Sequence, residues 1–303
     1  MNGIMNVYKE PGYTSFDVVA KLRGILQQKK IGHTGTLDPD AEGVLPVCLG
    51  RATKVCELLT DKDKTYRAVC RLGVETDTQD LSGTILQRYD YSGITSEQIC
   101  RVAESFLGDS MQVPPMYSAL KINGKRLYEL AREGKTVERK PRPIHIFDLR
   151  LEEINLENGT FCMEVTCSKG TYIRTLCHDI GKMLGIGAAM EHLTRTRVDV
   201  FRLEDALRLS EIEQLAASSK EALSAKIWQV DSLFPHLAKA QVVPEAKRFL
   251  ENGNHLPSDS LIGMDGMVLN KEEQEQVLVY DSQGNFCAIY TYFNDGYKCT
   301  KMF

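Results

Sequence analysis

The sequence predicts an α/β chain of the α+β kind, in which hairpins and helices are interspersed and a small β-rich module follows. Three observations carry this. Strand patterns come in neighbouring pairs joined by turn residues, as at Asn158-Gly159. No regular βαβα alternation and no G-x-G-x-x-G occurs, which excludes a dinucleotide-binding fold. The last stretch, after Pro235 and Pro244, is dominated by strand-like runs.

Each element has its own signal. Ile4 to Tyr8 is a short apolar run broken by Pro11-Gly12, a strand and a turn. Thr14 to Asp17 is a capping box before Phe16, Val19, Ala20 and Leu22, so Ser15 to about Gln28 is expected to be helical. Ile31 to Lys54, rich in glycine, proline and threonine, is expected to be a loop. Tyr66 to Val74 alternates apolar and basic residues and reads as a strand. Thr95 to Gln98 opens a helix ending near Gly108. Pro141–Ile154 and Thr160–Cys167 form the two arms of a hairpin, and Tyr172 to Leu184 is a helix stopped by Gly185. Leu209 to Lys226 is Ala-, Glu- and Leu-rich and reads as one helix. Pro235 and Pro244 bracket a linker, dividing a domain over 1–235 from a module over 236–303. In that module Gln276–Tyr280 and Phe286–Phe293 are strands joined through Ser282-Gln283-Gly284-Asn285.

Composition narrows the function classes. With 303 residues, 43% hydrophobic and 26% charged, the chain is that of an ordinary globular protein. It has no unbroken apolar run of the ~18 residues a spanning helix needs, and no leader pattern at its start, so a cytoplasmic protein without membrane contact is expected. Nine scattered cysteines with no C-x-x-C pair read as reduced core residues rather than a disulfide framework or zinc site. The net charge of −4 hides an asymmetry. Lys121 to Arg142 holds eight basic and three acidic residues, whereas Val243 to Phe303 holds five and nine. A concentrated basic stretch fits a polyanion partner or, equally, a solvated surface.

Asp38, in G-H-T-G-T-L-D-P, is either a turn former or a nucleophile presented on a loop whose glycines admit a bulky ligand. His33 and Asp38 do not make a metal site, because no third ligand stands at a recognisable spacing. Arg174 lies one turn into a helix among apolar Ile173, Leu176 and Ile180. A buried arginine needs a partner, and Asp38 is the candidate. Tyr66 and Tyr172 are either aromatics on packed surfaces or platforms for an unstacked base. Gln112 to Lys121 is a Pro-rich rigid loop leading into the basic stretch.

Together, GHTGTLDPDAEGVLPVCLG, DKTYRA, QVPPMYSALKINGKRLYELAREG and KGTYIRTLCHDIG resemble, in order and spacing, the TruB family of tRNA pseudouridine synthases. The resemblance spans Gly3 to Phe201, while the tail loosely resembles a PUA-like RNA-binding module. It implies a pseudouridine synthase core with a mixed, mainly antiparallel sheet flanked by helices. It implies Asp38 as the catalytic carboxylate, with Tyr66 and Arg174 beside it. Tyr172, Leu193 and Asp80 match positions of the uracil pocket, and His33 the residue that fills space left by flipped T-loop bases, while Lys121, where the Pro-rich loop meets the basic stretch, is expected to bind substrate as part of a nucleic-acid contact surface. The implied partner is the T-arm of tRNA, with no guide RNA, no cofactor and no metal, and a monomeric enzyme of the stand-alone bacterial type. Glu42 and Thr194 depart from the family's usual pattern of a small residue or threonine and a basic residue. The alternative class is an RNA-binding or tRNA-folding protein without chemistry.

Overall fold

The computed structural model describes residues 1–122, 124–264 and 269–303. Strand β1 (Gly3–Lys9) is buried along almost its whole length. Helix α1 (Ser15–Ile25) opens on a reciprocal cap: the Thr14 hydroxyl accepts from the Asp17 N–H, and the Asp17 carboxylate accepts from the Thr14 N–H. It stops short of the expected Gln28, and Gln27 takes φ 49°.

The expected long loop over Ile31–Lys54 is mostly regular structure. Strands β2 (Ile31–His33) and β3 (Glu42–Leu49) leave only residues 34–41 irregular, and a 3₁₀ turn covers Gly50–Val55. β3 is buried at every position after Glu42. Its residues form one apolar run, the pattern of a strand covered on both faces, which glycine and proline disguised. The Pro46 carbonyl still accepts from the Thr34 N–H at 3.2 Å.

Then come α2 (Cys56–Thr60), β4 (Lys64–Leu72), and the hairpin of β5 (Val74–Thr76) and β6 (Ile85–Arg88). They are followed by α3 (Ser96–Glu104), capped by Thr95 and Gln98, and β7 (Gly108–Gln112). A second hairpin, β8 (Lys121–Ile122) and β9 (Lys125–Arg126), precedes α4 (Leu127–Arg132). Strands β10 (Arg142–Asn155) and β11 (Thr160–Cys167) form the expected hairpin, closed through Gly159 at φ 63°. Helix α5 (Ile173–Leu184) ends at Gly185 in the left-handed region. Strand β12 (Ala188–Val198) and the short β13 (Phe201–Arg202) follow. The single helix expected over Leu209–Lys226 breaks at extended Ser219 into α6 (Leu209–Ser218) and α7 (Lys220–Ala225). The Ser219 hydroxyl caps the second helix by accepting from the Ala222 N–H.

With β14 (Ile227–Trp228), these strands make one ten-stranded sheet in the order β14-β1-β3-β12-β4-β11-β10-β7, with β2 on β3 and β13 on β12. Its pairings are antiparallel except β12 on β3. One apolar cluster packs α3 and α5 on β4, β11 and β12, and another packs α1 and α6 on β1 and β3.

The C-terminal sheet comprises β15 (Ala238–Val242), β16 (Leu256–Pro257), β17 (Leu261–Gly263), β18 (Gln276–Tyr280), β19 (Phe286–Tyr292) and β20 (Gly296–Met302), in the order β16-β20-β19-β18-β15-β17, with α8 (Lys247–Glu251) beside it. The stretch expected as a linker is therefore largely strand. Ala240 and Val242 alternate into the apolar cluster, and β15 runs parallel to β18. Phe234, Phe286 and Phe303 pack this sheet against Val230 and Leu233 of the larger part.

Candidate active site

Residues 34–41 carry Asp38 between β2 and β3, and the segment is tied down on both sides. Leu37 and Ala41 are buried in the cluster of β4 and β12. The Leu37 N–H donates to the Ser15 hydroxyl at 2.9 Å, and the Gly12 N–H to the Pro39 carbonyl at 2.9 Å. Beneath lies Lys9, fully buried, whose ammonium donates to the carbonyls of Glu10 (3.2 Å), Pro39 (2.9 Å) and Ala41. Burial pushes Lys9 down to about 8, opposed by the charges of Asp38 and Asp40.

Arg174 sits in the first turn of α5 with its side chain 6% exposed. Of the five N–H donors of its guanidinium, the four on Nη1 and Nη2 have acceptors. Nη2 donates to Asp38 Oδ1 at 3.2 Å, and Nε stands 2.9 Å from Asp38 Oδ2, so the ion pair touches both carboxylate oxygens. Nη2 also donates to the Tyr117 carbonyl at 2.8 Å. Nη1 donates to the Thr78 carbonyl at 3.1 Å and to Asp80 Oδ2 at 3.4 Å. Three segments distant in sequence thus converge on one cation. Asp80 is fixed in turn, its Oδ1 accepting from the hydroxyls of Thr78 (2.7 Å) and Ser82 (2.6 Å).

The Asp38 side chain keeps 39% exposure. Burial raises its pKa, the Arg174 charge lowers it, and the net displacement is upward. The carboxylate is thus held in a desolvated setting by one guanidinium while part of it stays open to an incoming molecule.

Tyr66 and Leu193 lie in the apolar cluster that holds Leu37 and Ile173. Tyr66, on β4, stands opposite Arg195 of β12. Burial raises the phenol and the Arg195 charge lowers it, with a net upward displacement. Tyr172 precedes α5 and is half-buried, within the fields of Arg142, Arg174 and Asp38.

His33 and Lys121 stand differently. His33 lines a separate basic cleft of about 590 Å³ with Phe16, Arg23, Lys29, Lys30 and Thr53. Burial and Arg195 lower its pKa, and its Nδ1 accepts from the Gly35 N–H at 3.3 Å. Lys121 is exposed on β8, and among the described residues no hydrogen bond or ion pair joins it to the Asp38 cluster. Of the eight basic residues from Lys121 to Arg142, all but Arg139 are exposed, and Arg126 and Arg132 both lie over the Tyr128 ring. Among the described residues no three His, Cys, Asp or Glu side chains gather as a metal would require.

Sequence reasoning missed three buried cations, Lys9, Lys64 and Arg195, of which Lys9 and Arg195 bear on the site. Lys9 ends an edge-looking strand before Pro11-Gly12 and reads as surface. Arg195 is 1% exposed, its Nε donating to the Val44 carbonyl at 2.7 Å and its Nη2 to the Gly35 carbonyl at 3.3 Å. A signal existed: Arg195 follows Leu193 by two residues, which puts both on one face of a strand. Gly43 enables this approach, because at φ 104° a Cβ there would collide with the Arg195 backbone. The departures Glu42 and Thr194 face each other in the β3–β12 register. The Glu42 carboxylate accepts from the Thr194 hydroxyl (3.3 Å), pairs with His192 Nε2 (2.9 Å) and accepts from the Tyr8 hydroxyl (2.7 Å).

Known proteins share this fold. A solved Cbf5–Nop10–Gar1 complex contains a chain that superposes with TM-score 0.73 at 26% identity, over 99% of this chain and 84% of that one. A mixed main sheet with helices, followed by a C-terminal β half-barrel, is thus the pseudouridine synthase fold of Cbf5. The "TruB family pseudouridylate synthase (N terminal domain)" matches residues 23–173, and the "tRNA pseudouridylate synthase B C-terminal domain" matches 174–235. A tRNA pseudouridine synthase B of Lachnoclostridium phytofermentans is 51% identical over 311 residues, covering 100% of both chains. Its counterpart in Clostridium perfringens is 42% identical over 305 residues, covering 100% of this chain and 99% of that one. The chain belongs to the TruB family of tRNA pseudouridine synthases, which are isomerases.

Proposed function

We propose that the protein converts a uridine in the T-loop of tRNA, position 55, into pseudouridine, with Asp38 as the nucleophile. The N1–C1′ bond breaks, the uracil turns, and a C5–C1′ bond forms as C5 gives up its proton and N1 gains one. Nothing is oxidised and no group leaves permanently, so the reaction needs no cofactor. The carrying observation is the Asp38–Arg174 ion pair, desolvated yet 39% open on the carboxylate side. An ion pair built this way suits a carboxylate that must stay charged while it meets a neutral uracil and its ribose.

The remaining residues fall into roles around that pair. Tyr66, Tyr172 and Leu193 receive the uracil, and Asp80 steadies Arg174 from the far side. Everting a base costs a few kcal/mol, and stacking on an aromatic returns about 1–3 kcal/mol per base. His33 enters the space the base leaves. Lys121 and its basic neighbours hold backbone phosphates, so affinity falls steeply as salt rises. Residues 1–235 form the catalytic domain and 236–303 an RNA-binding module of a monomeric enzyme that uses no guide RNA.

The test is to incubate the purified protein, without cofactor, with unmodified tRNA and with a T-arm minihelix, and to map pseudouridine by carbodiimide treatment and primer extension. A single stop at the T-loop uridine of both RNAs is expected. Binding without any stop would overturn the reading in favour of an RNA-folding protein.

A further inference from the structure

We propose that Gln112 is a positioning residue for the reaction, acting on the start of α5. Gln112 ends β7 and is 5% exposed. Its side chain clamps both peptide groups of one residue. Nε2 donates to the Tyr172 carbonyl at 3.0 Å, and Oε1 accepts from the Tyr172 N–H at 2.8 Å. A carboxamide used this way imitates one rung of a sheet, across a gap of 60 residues.

Tyr172 is the N-cap of α5, and its own side chain makes no capping bond. The first turn of a helix is where unpaired N–H groups accumulate and fraying begins. The clamp holds Tyr172 extended at φ −98° and ψ 109°, and its carbonyl also accepts the first helical bond, from Leu176 at 3.0 Å. Ile173 and Arg174 follow at once, so the clamp fixes where the helix begins and the direction from which the guanidinium reaches Asp38.

The other end of Gln112 is equally placed. β7 pairs with β10 so that Gln112 stands opposite Arg142, and these two residues form the base of the basic insertion between them. The insertion touches the site again where the Tyr117 carbonyl accepts from Arg174. Gln112 therefore joins the RNA-holding insertion to the residues that face the reacting nucleotide. This inference rests on the proposed roles of Asp38 and Tyr172.

The experiment compares wild type, Gln112→Leu and Gln112→Glu in single-turnover pseudouridine formation on a T-arm minihelix. RNA affinity and melting temperature are measured beside the rates. Gln112→Leu keeps the volume and removes both bonds. A slight misplacement at a reacting centre costs up to about 10²-fold, so the rate at saturating RNA is expected to fall by about 10- to 100-fold while RNA affinity stays within a few-fold. Gln112→Glu supplies the second readout. When protonated, its carboxyl donates to the Tyr172 carbonyl and accepts from the N–H, as the amide does. When ionised, it cannot donate. At a temperature where the measured melting shows every variant fully folded across the pH range, so that regained stability does not enter, its rate relative to wild type is expected to recover as pH falls. A wild-type rate in folded Gln112→Leu, a loss confined to RNA affinity, or a pH-independent ratio for Gln112→Glu would each overturn the inference. Wild type without activity would instead overturn the proposed function.

Discussion

The two sheets of this molecule are built on opposite terms. In the ten-stranded sheet and its helices, among the described residues, four charged side chains are buried, Lys9, Lys64, Arg174 and Arg195, and all are cations. In the six-stranded sheet, among the described residues, Ser260 is the only buried polar side chain, and the interior is aliphatic and tyrosine. Both solutions fold, so burying charge is not a requirement of the architecture. An ion taken out of water costs several kcal/mol unless it is fully partnered. A region that accepts this cost repeatedly has a use for the resulting field, and three of the four cations bear on Asp38 or Tyr66.

Substitutions of those cations test the contrast. Arg174→Met carries the largest expected effect, since it strands Asp38 and Asp80 side by side. Breaking a fully buried pair costs about 3–5 kcal/mol, and with Asp38 39% exposed the loss is expected near the lower end, to be read by chemical denaturation. Activity is expected to disappear as well. Because the Arg174 charge is what lowers Asp38 against burial, the milder Arg174→Lys should move the acid limb of the rate profile to higher pH. An unmoved acid limb would show that the pair does not set the protonation of Asp38.

Lys9→Met tests the loop beneath. The folded pKa of about 8 lies below the ordinary value of 10.5, so between them the unfolded chain binds more protons than the folded one. Stability of the wild type relative to Lys9→Met should therefore rise with pH between about 8 and 10.5, by up to about 3 kcal/mol. Equal slopes for the two proteins would mean that Lys9 is not desolvated as described. The smallest effect belongs to Glu42 and Thr194. As hydrogen-bonded neighbours they should show a coupling of about 1 kcal/mol in a double-mutant cycle of Glu42→Gln and Thr194→Val. Strict additivity would make the two departures independent.

The legible and illegible parts of the fold divide along the same line. Capping boxes at Thr14 and Thr95, the Asn158-Gly159 turn and the Gly185 stop are local signals, and the structure follows them. The Asp38–Arg174 contact was legible because a cation among Ile173, Leu176 and Ile180 demands a partner. What failed was tertiary. β3 hid behind Gly43 and Pro46, whose turn-forming habits are overridden by neighbours on both sides. β12 hid because its buried face carries Arg195 in place of an apolar residue. β15 hid between prolines because its partners β17 and β18 arrive later in the chain. Gln112 looked like part of a Pro-rich loop, since nothing local announces a bond to a residue 60 positions away.

The account stands on the charge of Asp38, and Asp38→Asn tests it most directly, since it keeps the shape of the side chain and removes the charge. The measurement is single-turnover pseudouridine formation on the T-arm minihelix, with equilibrium RNA binding measured on the same preparation. The expected result is no detectable product with RNA affinity preserved within about threefold. Product formation at the wild-type rate would contradict the account at its centre.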